Sequence, residues 1–166
     1  MTGALDLLRT HAPMVVLALL LGGAALALLT PHGRASWALG VITAFAAAVA
    51  ALDMGWRFLG GAPAMAPNSL LGLDGVAAFA VPLVVTLGAL VVLADGSSLR
   101  ERPTRAQPFA VALHLAGVAG WVGALLARDL IALVLCVNAA WLAAIALTAL
   151  STNRGALNGA LRMLMS

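Results

Sequence analysis

GVAAFAVPLVVTLGALVVLA, Gly75–Ala94, decides the fold. The stretch carries no charge, and its one polar side chain is the hydroxyl of Thr86. About 20 consecutive apolar residues are what a helix needs to cross a hydrocarbon core roughly 30 Å thick. No strand-length alternation of polar and apolar residues runs through the chain, so a β-barrel is excluded. Asp74, just before the stretch, is a good N-cap, because its carboxylate can accept from the otherwise unsatisfied first amides. Pro82 lies inside the stretch and is expected to kink it, a defect that neighbouring helices accommodate in a membrane.

Four further segments read the same way. They are Pro13–Thr30, closed by Pro31; the Ala-rich Ser36–Leu52; Pro108–Ala127, with a proline suited to the first turn; and Leu130–Leu150, preceded by the N-cap candidate Asp129. Pro13–Thr30 has an Arg before it, but its apolar run exceeds the roughly 7–15 residues of a signal-peptide core, so it is read as a retained helix. GGAPAMAPNS, Gly60–Ser69, is a loop. Ala156–Ser166 looks like the opening turns of another helix, too short to span and suited to an interface or a partner. The expected fold is an all-α integral membrane protein, one domain over residues 1–166, with about five transmembrane helices and a short C-terminal partial helix.

Composition agrees. Of 166 residues, 63% are hydrophobic and 9% charged, with a mean hydropathy of +1.08. A soluble domain carries about 25% charged residues, so this chain cannot cover itself with a water-facing surface. All nine basic residues are Arg, a usage read as that of a GC-rich bacterial genome, which makes the bacterial inner (plasma) membrane the expected location. The high isoelectric point follows from those arginines on a small charge total; without a basic stripe interleaved with aromatics, nucleic acid is not an expected partner.

Loop arginines set the expected orientation. Arg34, then Arg100, Arg102 and Arg105, then Arg154 and Arg162 fall on one side of a five-span chain, while Arg9, Arg57 and Arg128 fall on the other. The heavier side is placed in the cytoplasm, with the N-terminus outside and the C-terminus inside.

The polar inventory within the spans is short. His114 lies roughly 9 Å below the cytoplasmic boundary at 1.5 Å per residue. An ionisable group at such depth is a functional hypothesis by default, as a proton relay or a quinone contact. The competing interpretation, a neutral imidazole bonded to a neighbouring helix, is favoured because a relay needs partners and none is visible at this depth. Asn138 lies roughly 12 Å from the outer boundary and suits an interhelical hydrogen bond; it cannot exchange protons. The two differ in depth by roughly 9 Å and are not expected to pair.

Asp53 and Arg57 have the spacing of an ion pair at a helix end, and Trp37 and Trp56 fit an interfacial belt. Ala116, Gly120 and Ala124, with Ala119 and Gly123 beside them, form a small-xxx-small pattern that admits a close helix neighbour. A lone cysteine, Cys136, leaves no internal disulfide, and no clustered His/Cys/carboxylate set suits a metal. A haem would need His11 or His32, both at helix boundaries. No cofactor and no catalytic residue is expected.

From about Leu70 onward the order of features resembles the antiporter-like proton-conducting subunits of respiratory complex I and of the Mrp antiporters, with subunit N of NADH-quinone oxidoreductase nearest. LDGVAAF (Leu73–Phe79) leads a helix, ARDLIALVL (Ala127–Leu135) leads another, and ALNGALRMLMS (Ala156–Ser166) stands where the family opens its sixth helix. The resemblance covers about the first third of a full-length member. It also implies altered positions: Asn138 replaces the family's helix-five glutamate, Asn158 the later carboxylate and Arg162 the lysine. The expected function is therefore a non-catalytic, subunit N-like membrane subunit that packs within a proton- or ion-translocating respiratory or antiporter complex. Its expected partners are lipid and the other membrane subunits. The alternatives are one half of a split ion-conducting subunit, and a free-standing membrane anchor or assembly factor; no enzymatic activity is expected of the chain alone.

Overall fold

A computed structural model describes residues 11–61, 71–96 and 106–150. The helices are α1 (Ala12–Leu29), α2 (Gly33–Leu59), α3 (Gly75–Ala94), α4 (Gln107–Leu126) and α5 (Leu130–Ala149). All five are long and apolar enough to cross a membrane. Arg9, Arg100, Arg102, Arg105, Arg154, Asn158, Arg162 and the expected partial helix Ala156–Ser166 lie outside the described residues.

Four of the helix boundaries fall close to those read from hydropathy. The second does not. α2 begins at Gly33, with only three residues between it and the end of α1, and runs on to Leu59 as a 27-residue helix. At 1.5 Å per residue it is about 40 Å long, more than a hydrocarbon core about 30 Å thick requires. Hydropathy lost it at Asp53, whose charge is met one turn on by Arg57 at 2.8 Å. The expected ion pair forms near the helix end, with Arg57 in the last turn, and the helix runs through it.

α1 to α4 form a bundle in which each helix packs on the next and α4 closes back on α1, with α2 touching α4 across the middle. The core keeps helical spacing: Val16, Leu20 and Ala27 on α1; Ala44, Ala47 and Ala51 on α2; Val81, Val85 and Val92 on α3; Leu115, Val122 and Leu126 on α4. Its members are mostly Ala and Val, while Leu29, Trp56, Phe79 and Ile131 are among the large apolar side chains left outside. A water-soluble bundle buries its large side chains. Here the small residues lie within, where they let the helices approach closely, and many large apolar ones lie without.

Helix ends are satisfied by specific groups. Asp74 accepts from the Ala77 amide at 2.6 Å and Asp129 from the Ala132 amide at 2.7 Å, so both expected caps form. The last carbonyls of a helix have no intrahelical donor. Ser36, fully buried, donates its hydroxyl to the Ala27 carbonyl near the end of α1 at 3.3 Å. Trp37 donates its indole N–H to the Val92 carbonyl near the end of α3 at 2.9 Å. Trp37 is thus a tie between helices rather than a free member of an aromatic belt, while Trp56 is 78% exposed.

Candidate functional site

α5 is held differently from the rest. It packs chiefly on α4, and only Ala140 and Ala143 along its length are buried. The α4 side of this seam is a row of glycines. A Cβ added at Gly117 would meet Ala143, one at Gly120 would meet the backbone of Ala140, and one at Gly123 would meet the sulfur of Cys136. The two helices run antiparallel, and glycine every third residue brings their backbones together. The expected small-residue row, Ala116, Gly120 and Ala124, is therefore corrected to Gly117, Gly120 and Gly123. Gly120 and Gly123 were both among the expected small residues, Gly117 joins them, and Ala116 and Ala124 flank the contact half-buried. An Ala-rich helix offers i+4 rows of small residues by chance, whereas the seam follows the i+3 row of glycines.

On one flank of this seam lies an open groove of about 340 Å³, lined by His114, Gly117, Trp121 and Val118 from α4 and by Ala144 and Thr148 from α5, among others. The His114 ring lies beside the Gly88 backbone of α3. Its Nε2 is buried without a hydrogen-bond partner among the described residues.

Asn138 is elsewhere. At about 100° per residue it stands roughly 160° and 140° around α5 from Ala140 and Ala143, so it is exposed on the back of the helix, away from the bundle. Its Nδ2 donates to the Val134 carbonyl at 2.8 Å, one turn earlier in the same helix. The expected bond from Asn138 to another helix of this chain is not made. Depth along a helix was legible from residue number, but azimuth was not, because both faces of α5 are apolar and nothing in its pattern marks the buried side.

At one end of the bundle the connection before α3 meets the turn between α4 and α5. The Gly72 amide donates to the Leu126 carbonyl at 2.7 Å, Leu71 and Ala127 form an isolated antiparallel bridge, and the Arg128 side chain lies over Gly72. The sequence marks Asp129 as a helix cap and Arg128 as a loop arginine, but the brace with Leu71–Gly72 is not legible there, because β pairing of so few residues leaves no periodicity.

A second groove, about 180 Å³, lies between α2 and α3 around Gly55, Trp56 and Pro82 and is apolar throughout. Among the described residues no group of three His, Cys, Asp or Glu side chains comes together to hold a metal. The chain matches no known family model, no characterised protein and no solved structure.

Proposed function

We propose that the chain is a multi-pass membrane subunit without a reaction of its own, which packs beside other membrane helices in a larger assembly. In this proposal the assembly is an ion-translocating respiratory or antiporter complex and the chain is subunit N-like. It sits in a bacterial inner membrane with its N-terminus outside.

One observation carries this reading. Asn138 stands where the resemblance places a path-lining glutamate, and it faces outward from the bundle, with its amide turned back onto its own helix. A proton route through the interior of α1 to α4 cannot use a group on the outer face of α5. A packing subunit can, since an amide at that depth is what a neighbouring helix bonds to. The single seam holding α5 supports the same reading, because it leaves most of that helix free for contact.

The test is recovery of the tagged chain from native membranes in mild detergent, followed by mass spectrometry of what accompanies it. Co-purification of respiratory or antiporter subunits is the expected result. The chain recovered without any other polypeptide overturns the proposal. In the assembled complex, His114→Leu and Asn138→Leu are expected to shift the yield of complex and to leave ion flux per complex unchanged. Flux lost with assembly intact would make either residue part of a path.

A further inference from the structure

We infer that the back of α5 is a self-association surface, on which two copies of the chain pair α5 against α5 with the two Asn138 amides hydrogen-bonded to each other. The inference rests on the membrane-spanning reading above and adds the identity of one partner.

A carboxamide has two N–H donors and an oxygen with two lone pairs. Among the described residues Asn138 makes one side-chain hydrogen bond, to Val134, and the oxygen that accepts it already serves the α-helical ladder. Hydrocarbon offers neither donors nor acceptors. A face that sets such a group near the middle of a spanning helix requires a cover that hydrogen-bonds at the same depth.

A second copy meets that requirement without further tuning. Two copies inserted the same way place Asn138 at identical depth, and a carboxamide is its own complement, donor to acceptor and acceptor to donor. A two-fold axis is the commonest symmetry of assemblies. The neighbours of Asn138 on this face recur every seven residues: Ile131 and Ile145 on either side of it, and Leu135 with Leu142. This is the spacing by which two helices interlock, and one Asn at such a position fixes register. Access is open, because α5 lies outside the four-helix body on α4, and Ile131, Leu135 and Leu142 are 74%, 65% and 60% exposed.

The test uses the full chain in native membranes with Cys136→Ala, so that single cysteines report contacts. Ile131→Cys and Ile145→Cys, each with Asn138 retained, are expected to give a disulfide-linked product of twice the chain mass on mild oxidation. Phe45→Cys, exposed on α2, is expected to give none. Asn138→Leu should weaken pairing by about 3- to 30-fold, measured by energy transfer between labelled copies at varied protein-to-lipid ratio; Asn138→Gln should restore most of it. Linkage of α5 to a different polypeptide overturns self-association and leaves the assembly proposal standing. No linkage from α5, or linkage unaffected by Asn138→Leu, overturns the inference whatever accompanies the chain in a pull-down. Doubled chain recovered without other subunits supports the inference and overturns the assembly proposal.

Discussion

Gly120→Ala tests the seam on which α5 depends. A Cβ on residue 120 would lie 2.8 Å from the Ala140 amide nitrogen, 2.9 Å from the Ala140 Cβ and 3.0 Å from its Cα. Carbon atoms in good contact are about 3.5–4.0 Å apart, so α5 must back away by roughly half an ångström or more. The obstructing atoms belong to backbone and to a Cβ, which no rotamer change can move. Overpacking costs about 1–3 kcal/mol, and a rigid obstruction belongs in the upper part of that range. Alanine returns up to about 1 kcal/mol of helix propensity. The net is about 1–2 kcal/mol, or a factor of roughly 5 to 30 in the equilibrium that opens the seam. Cys136 reports that equilibrium, because the sole cysteine is half-buried with its sulfur against Gly123. Reaction with a membrane-permeant maleimide should accelerate in Gly120→Ala by up to that factor. Gly22→Ala is the control, since a Cβ there meets nothing within 4 Å. A labelling rate in Gly120→Ala no faster than in the parent, or matched by the control, would refute backbone-close packing of α4 on α5.

Gly55→Ala should destabilise the α2–α3 contact by about 1–3 kcal/mol, read as a lower midpoint in a detergent-unfolding titration. The added Cβ would lie 2.7 Å from the Ala78 carbonyl oxygen, which Pro82 leaves without its helical donor. Trp37→Phe removes the hydrogen bond to Val92 together with indole atoms that lie against Gly96, and should lower stability by at least about 0.5–1.5 kcal/mol in the same titration. Asp53→Asn should change stability by no more than about 0.5 kcal/mol, because the pair with Arg57 is solvent-screened and within one helix; a larger loss, insensitive to added salt, would mean that the pair is buried in an assembly.

Hydropathy made the number of helices legible, since long uncharged runs admit little else, and the aspartates at 74 and 129 marked two helix starts. It failed at the end of α2, where Asp53 and Arg57 cancel each other without interrupting the helix. It also failed at every question of azimuth. In a soluble helix, polar residues mark the outer face; here the exposed side chains are as apolar as the buried ones, so the amide of Asn138 was as compatible with the bundle interior as with its back. Ser36 and Trp37 were legible only as a span start and an aromatic. Their roles depend on carbonyls at the ends of α1 and α3 that no local pattern identifies.

The same distinction bears on the proposed kinship. LDGVAAF and ARDLIALVL both set an aspartate before an apolar run, and the structure gives each aspartate the task that any helix start asks of it. A match in those aspartates alone therefore speaks of helix initiation. Gly72 and Arg128 are different: the glycine stands two residues before one cap, the arginine immediately before the other, and neither is required for capping. They meet because Arg128 lies across Gly72, where a side chain would displace it, and because the Gly72 amide holds the end of α4. Common descent, as opposed to common physics, would be expressed in that pair. A glycine and an arginine kept together at these two places across a set of sequences would carry the kinship; aspartates kept while glycine and arginine vary independently would reduce it to two well-capped helices.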